Sequence, residues 1–154
     1  MPLPGGSSDK YGNRYEDLWT AQCLTDLMDE TADEIRLEPP GDEGVGVEFW
    51  LIRLGRREYH QVKRQNGADG RWTLGDLNSA GVLGNIWAKL QDPSARFVFV
   101  SADGVQHLRE LTERARDAAS WQEYEREFVD TSVLISFMIV LKRSGASSES
   151  GQRF

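Results

Sequence analysis

The chain has 154 residues, a length that suits one domain with its own core. A net charge of −7, with 39% apolar and 28% charged residues, is ordinary for a soluble protein and excludes a broadly basic nucleic-acid coat. The single Cys23 excludes an internal disulfide framework and a cysteine-based zinc site.

Residues 1–10 read as a flexible Pro/Gly/Ser leader without a secretory pattern. Residues 13–33 place Tyr15, Leu18, Ala21, Leu24, Leu27 and Met28 at helical spacing, predicting an amphipathic helix. Asn13 is its expected N-cap, with Glu16 as reciprocal partner. Cys23 lies in this pattern and reads as a small core residue. "IRLE" (35–38) reads as a short strand stopped by Pro39-Pro40-Gly41. "GVGVEFWLIRL" (44–54) reads as a longer apolar strand, and "RREYHQVKR" (56–64) as its hairpin partner across Gly55. Residues 66–70 read as a loop.

Thr73 is placed to cap a helix over 74–91, within which Gly75, Gly81 and Gly84 mark a break or close packing. "ARFVFVSA" (95–102) has the continuous apolar run of a buried strand. A helix over 104–119 puts Val105, Leu108, Leu111 and Ala115 on one face, and Ser120 can cap another. Residues 131–143 form an apolar segment of either helix or strand, too short to span a bilayer. Residues 144–154 read as a disordered tail. These features suggest a cytoplasmic protein without a membrane segment. Three strands in a meander, a crossover helix and a fourth strand predict an α/β fold: a mixed sheet flanked by helices, its last strand parallel to a neighbour.

Two predicted strands carry polar groups where burial is costly. Glu48 interrupts an apolar run, and Gln61 and Lys63 share one face of the next strand. Pairing across the hairpin can gather a carboxylate, a carboxamide oxygen and an ammonium. Hard oxygen ligands suit Mg²⁺, and the ammonium can orient a water or offset phosphate charge. The plainer alternative is a surface ion pair between Glu48 and Lys63, with Gln61 facing solvent. His60 points to the opposite face and reads as packed beneath a helix. His107 reads as a surface residue, and Tyr59 as packing or bounding the site. Asp42 and Glu43 are alternative carboxylates. Six Lys/Arg between 53 and 71 make this the most basic stretch. Lys63, Arg64 and Arg71, with Arg53, Arg56 and Arg57 nearby, can meet DNA phosphates or form a solvated charged hairpin.

The order helix, three meandering strands, helix, strand resembles the αβββαβ core of the restriction-endonuclease-like PD-(D/E)XK nucleases. Glu48 falls on the second strand and Gln61-Val62-Lys63 on the third. "GGSSDKYGNRYEDLW", "VEFWLIRLGRREYHQVKR", "WTLGDLNSAGVL" and "FVFVSA" resemble the N-terminal endonuclease-like domain of bacterial antiphage defence proteins, whose third strand carries Q-V-K. The resemblance covers about residues 5–130, within a predicted nuclease-like region of 11–130. It implies a Mg²⁺- or Mn²⁺-dependent DNA endonuclease acting as an antiphage effector. Glu48, Gln61 and Glu16 would form the metal site and Lys63 would be the catalytic lysine. Glu16 has a second reading as an acid favoured in the first turn of its helix. Two positions depart from the family pattern: Glu48 stands where Asp is more usual, and the neutral Gln61 where an acid is more usual. The alternative is an inactive nuclease-fold domain that binds nucleic acid or protein. Related chains are usually longer, so an NTPase or sensor domain is expected downstream in a parent protein, and homo-oligomers are possible partners beside DNA.

Overall fold

In the computed structural model, residues 5–63 and 70–128 are described, with side chains from residue 14 onward. Arg64, most of the 66–70 loop, the apolar segment 131–143 and the tail lie outside the described residues. The chain divides into two compact units, one of residues 1–66 with 88–102 and one of 67–87 with 103–154.

The first unit is mixed α/β. Helix α1 spans Gly5–Met28 and is followed by strands β1 (Glu34–Leu37), β2 (Phe49–Arg53), β3 (Arg56–Lys63) and, later, β4 (Arg96–Ser101). The sheet order is β1-β2-β3-β4. β1/β2 and β2/β3 are antiparallel and β3/β4 parallel, so the expected meander and parallel return are present. The β2–β3 hairpin closes through Leu54 and Gly55, both at positive φ (52° and 70°). That is the geometry of a two-residue turn whose twist matches the strands it joins.

α1 begins at Gly5 rather than at Asn13, so residues 5–10 are helical instead of leader and Asn13 lies inside the helix. A formed helix adds one bond per residue fixed, which can outweigh the cost of about 1 kcal/mol for each glycine. The helix ends at Met28, where the backbone turns through Glu30 at φ 57°. The expected packing face is also corrected. Leu18, Leu24 and Met28 are exposed, whereas Cys23 is buried with Ala32, Phe49 and Leu51. Trp19 and Ile35 pack on this cluster. Cys23 is therefore the small core residue expected, and burial pushes its thiol pKa up to about 11.

The second strand is shorter than its apolar run. Residues 41–47 form a 3-10 turn (Gly41–Glu43) and a further turn in which Val47 N–H meets Gly44 O at 3.2 Å, with Gly46 at φ 72°. β4 is half-buried rather than fully buried, because it has a strand neighbour on one side only among the described residues.

In the second unit, Thr73 caps α2 (Leu74–Ser79) in a capping box with Asp76. Gly81, at φ 75°, separates α2 from α3 (Val82–Lys89), which is the break the glycines foretold; the last two residues of α3, Ala88 and Lys89, belong to the first unit. α4 (Gln106–Asp117) buries Leu111, and His107 on it is exposed. Ser120 caps α5 (Trp121–Glu123). Tyr124 follows, and its hydroxyl donates to Leu111 O at 3.0 Å. Among the described residues no helix is long and apolar enough to cross a membrane.

Candidate metal and phosphate site

Glu48 sits one residue before β2, and the ladder is offset there. Phe49 pairs with His60, yet Glu48 N–H also donates to His60 O at 2.9 Å. Two residues thus face one, as in a β-bulge, a feature that re-aims a side chain. The Glu48 carboxylate turns over β3 and accepts the Val62 N–H at 2.6 Å. The neighbouring strand holds Glu48 as well, since Glu38 N–H donates to Glu48 O at 3.0 Å.

This carboxylate is half-buried, and desolvation raises its pKa. The Val62 N–H partly offsets that rise, Glu16 adds to it and Lys63 reduces it. Glu16, on α1, is raised by burial and by the charges of Asp17 and Glu38, with Lys63 lowering it. The structure therefore brings Glu16, Glu48 and Lys63 into one electrostatic group. It adds Glu38, which the sequence reading missed because its role depends on where β1 ends beside Glu48. No ion pair joins Glu48 to Lys63 among the described residues. The Glu48 oxygen is held by backbone instead, against the plain surface-pair alternative.

Gln61 is 2% exposed, so it does not face solvent. Its Oε1 has no hydrogen-bond partner among the described residues. Buried amide oxygens are nearly always satisfied, so this atom stands out. No group of three or more His, Cys, Asp or Glu able to enclose a metal occurs among the described residues. The donors present are nevertheless of one chemical kind. Two carboxylates short of counter-charge fit a hard divalent cation, with Glu48 and Glu16 as its charged holders. The orphaned Gln61 oxygen is of the kind that suits a neutral ligand, but it alternates to the strand face opposite His60, and the structure does not bring it to Glu16.

His60 lies under α1 as expected. Trp19 Nε1–H donates to its Nδ1 at 3.1 Å, and its ring stacks on Phe49 at 4.6 Å between centroids. The accepting Nδ1 leaves the proton on Nε2, which is buried without a hydrogen-bond partner, 3.8 Å from Glu58 Oε2. Desolvation lowers the His60 pKa to about 4.

Arg53, Arg56 and Arg57 do not gather at this site. Arg53 is held by Asp26 at 2.8 Å and Glu58 at 3.3 Å. Arg57 pairs with Glu43 at 3.1 Å and lies over the Trp50 ring at 4.4 Å. Glu43 is thereby engaged away from the Glu48 group. Arg53, Arg56 and Arg57 flank the hairpin turn, and seven residue steps along the strand, about 23 Å, separate Arg56 from Lys63. The grouping of these three with Lys63 is corrected accordingly. Arg71 is exposed in the second unit, where it bridges to Gly104. Tyr59 is half-buried, with the Lys89 ammonium 5.1 Å from its ring centre.

Compared with protein-family models, curated proteins and solved structures, the chain shows no match.

Proposed function

We propose that the chain is a metal-dependent DNA endonuclease domain of restriction-endonuclease-like type, acting in antiphage defence. The observation that carries this reading is the bulged Glu48, seated on the Val62 N–H beside Glu16 and Lys63. The strand order, with an antiparallel meander and a parallel fourth strand, supports the αβββαβ core. The defence role rests on the resemblance of the sequence segments alone.

In this reading Glu48 and Glu16 hold Mg²⁺ or Mn²⁺. When bound there, the cation supplies charge that polarises a phosphoryl oxygen. The Val62 N–H fixes one Glu48 oxygen. Lys63, at the end of β3, orients an attacking water or offsets charge developing on the phosphate. Lys63, Arg64 and Arg71 are the proposed phosphate contacts.

The test is cleavage of supercoiled plasmid with Mg²⁺, with Mn²⁺ and with EDTA. Metal-dependent nicking is expected, reduced at least about a hundredfold in Lys63→Ala and Glu48→Ala, the scale of losing a charge-stabilising group. Absence of metal-dependent cleavage, or equal cleavage by Lys63→Ala, overturns the reading. The neutral Gln61 at the usual acid position favours a second reading, a nuclease-fold domain that binds without cutting. DNA binding without cleavage by the wild type is its signature.

A further inference from the structure

The turn that delivers Glu48 is gripped from outside. Its own bonds are short-range: Gly44 N–H to Gly41 O at 3.1 Å, and Val47 N–H to Gly44 O. Lys89, far along the chain, donates from Nζ to Asp42 O at 2.7 Å and to Glu43 O at 2.9 Å. These carbonyls end the 3-10 turn, where the partial negative charge of a helical segment attracts a cation. Arg57 holds the Glu43 carboxylate of the same turn at 3.1 Å. Both cations rest against aromatic rings of the sheet, Arg57 over Trp50 and Lys89 near Tyr59. The turn also has no slack behind it, since a Cβ on Gly44 would lie 1.9 Å from Pro39 O.

We propose that Lys89 is a positioning residue for Glu48, fixing the 41–47 turn so that the Glu48 carboxylate lands on the Val62 N–H. Its effect on metal binding rests on the nuclease reading; its effect on Glu48 does not. A lysine chosen only to stabilise the surface would find a carboxylate sufficient. Two successive backbone carbonyls instead set the position of the turn itself, and Glu48 lies five residues past the second of them.

Amide hydrogen exchange of the full ¹⁵N-labelled chain reads this directly, with Val62 as reporter, Leu51 as control and Glu48→Ala as the calibrated loss. Lys89→Met is expected to speed Val62 exchange at least tenfold while Leu51 stays within twofold. Lys89→Arg, which keeps a donor, is expected to restore most of the protection. Gly44→Ala displaces the turn from its other side and should give the Lys89→Met signature. Lys89→Leu, which also lacks a donor, serves in the same way if Lys89→Met does not fold. Val62 exchange within twofold of wild type in a folded variant, or equal acceleration at Val62 and Leu51, overturns the proposal. Mn²⁺ titration, followed by broadening of resonances near Glu48, should show at least tenfold weaker binding in Lys89→Met, and equal binding counts against it. A wild type that binds no Mn²⁺ sinks the nuclease reading, while Val62 exchange still decides the role of Lys89.

Discussion

His60 takes an imidazole into the core, where it keeps one proton and accepts another group's. Its ordinary pKa of 6.5 falls to about 4 because burial penalises the cation. Between those values the unfolded chain binds a proton that the folded chain refuses. Its stabilising contribution is therefore complete above pH 6.5 and is lost as pH falls toward 4. The shift corresponds to about 3 kcal/mol. Urea melts of the wild type and of His60→Gln should show the wild type losing about that much more stability from pH 7 to pH 4. A difference between the two that does not change with pH would show that His60 is not held neutral. The alternation of "REYHQVK" was enough to separate His60 from Gln61 and Lys63. The Trp19 bond was not legible, because it joins residues 41 apart.

At the scale of elements, the features set by local chemistry were readable. The Thr73 capping box and the Gly81 break depend on residues within a turn of each other. The packing face of α1 was misread for a physical reason. Counting apolar residues selects Leu18, Leu24 and Met28, but the sheet presents Arg53, Glu58 and His60. The helix answers with Asp26 and Trp19, whose polar groups are satisfied across the interface, and with the small Cys23 between them. Leu18→Gln and Met28→Gln should therefore change stability by no more than about 0.5 kcal/mol. Cys23→Leu, which adds volume beside Phe49 and Leu51, should cost about 1–3 kcal/mol. Thermal or urea melts decide this, and a larger loss at Met28 than at Cys23 would reverse the assignment of faces. The start of β2 was misplaced because "GVGV" is apolar in composition while its glycines serve turns.

For the whole molecule the net charge of −7 matters most to the proposed partner. A polyanion approaching this chain gains from few cations, so binding to DNA should be weak and steeply salt-dependent. Each phosphate contact contributes about 0.9 to the slope of log K against log salt. Lys63→Ala and Arg71→Ala should each lower that slope by about 1, measured by fluorescence anisotropy on DNA of mixed sequence. Arg53→Ala should leave it unchanged, because Arg53 is committed to Asp26 and Glu58. An equal effect at all three would mean that the basic stretch acts as a diffuse field rather than through these contacts.

By itself the sequence determined the order of the elements, the antiparallel meander and the parallel fourth strand, because hydrophobic period, turn residues and chain connectivity are local or topological. It also singled out Glu48, Gln61 and Lys63 as polar groups in costly places. Only the tertiary structure decided how Glu48 is held. A one-residue offset against His60, the Val62 N–H and the nearness of Glu16, Glu38 and Lys63 arise from strands and a helix meeting. Those relations depend on backbone register and on burial, and neither is encoded in the spacing of residues along one strand.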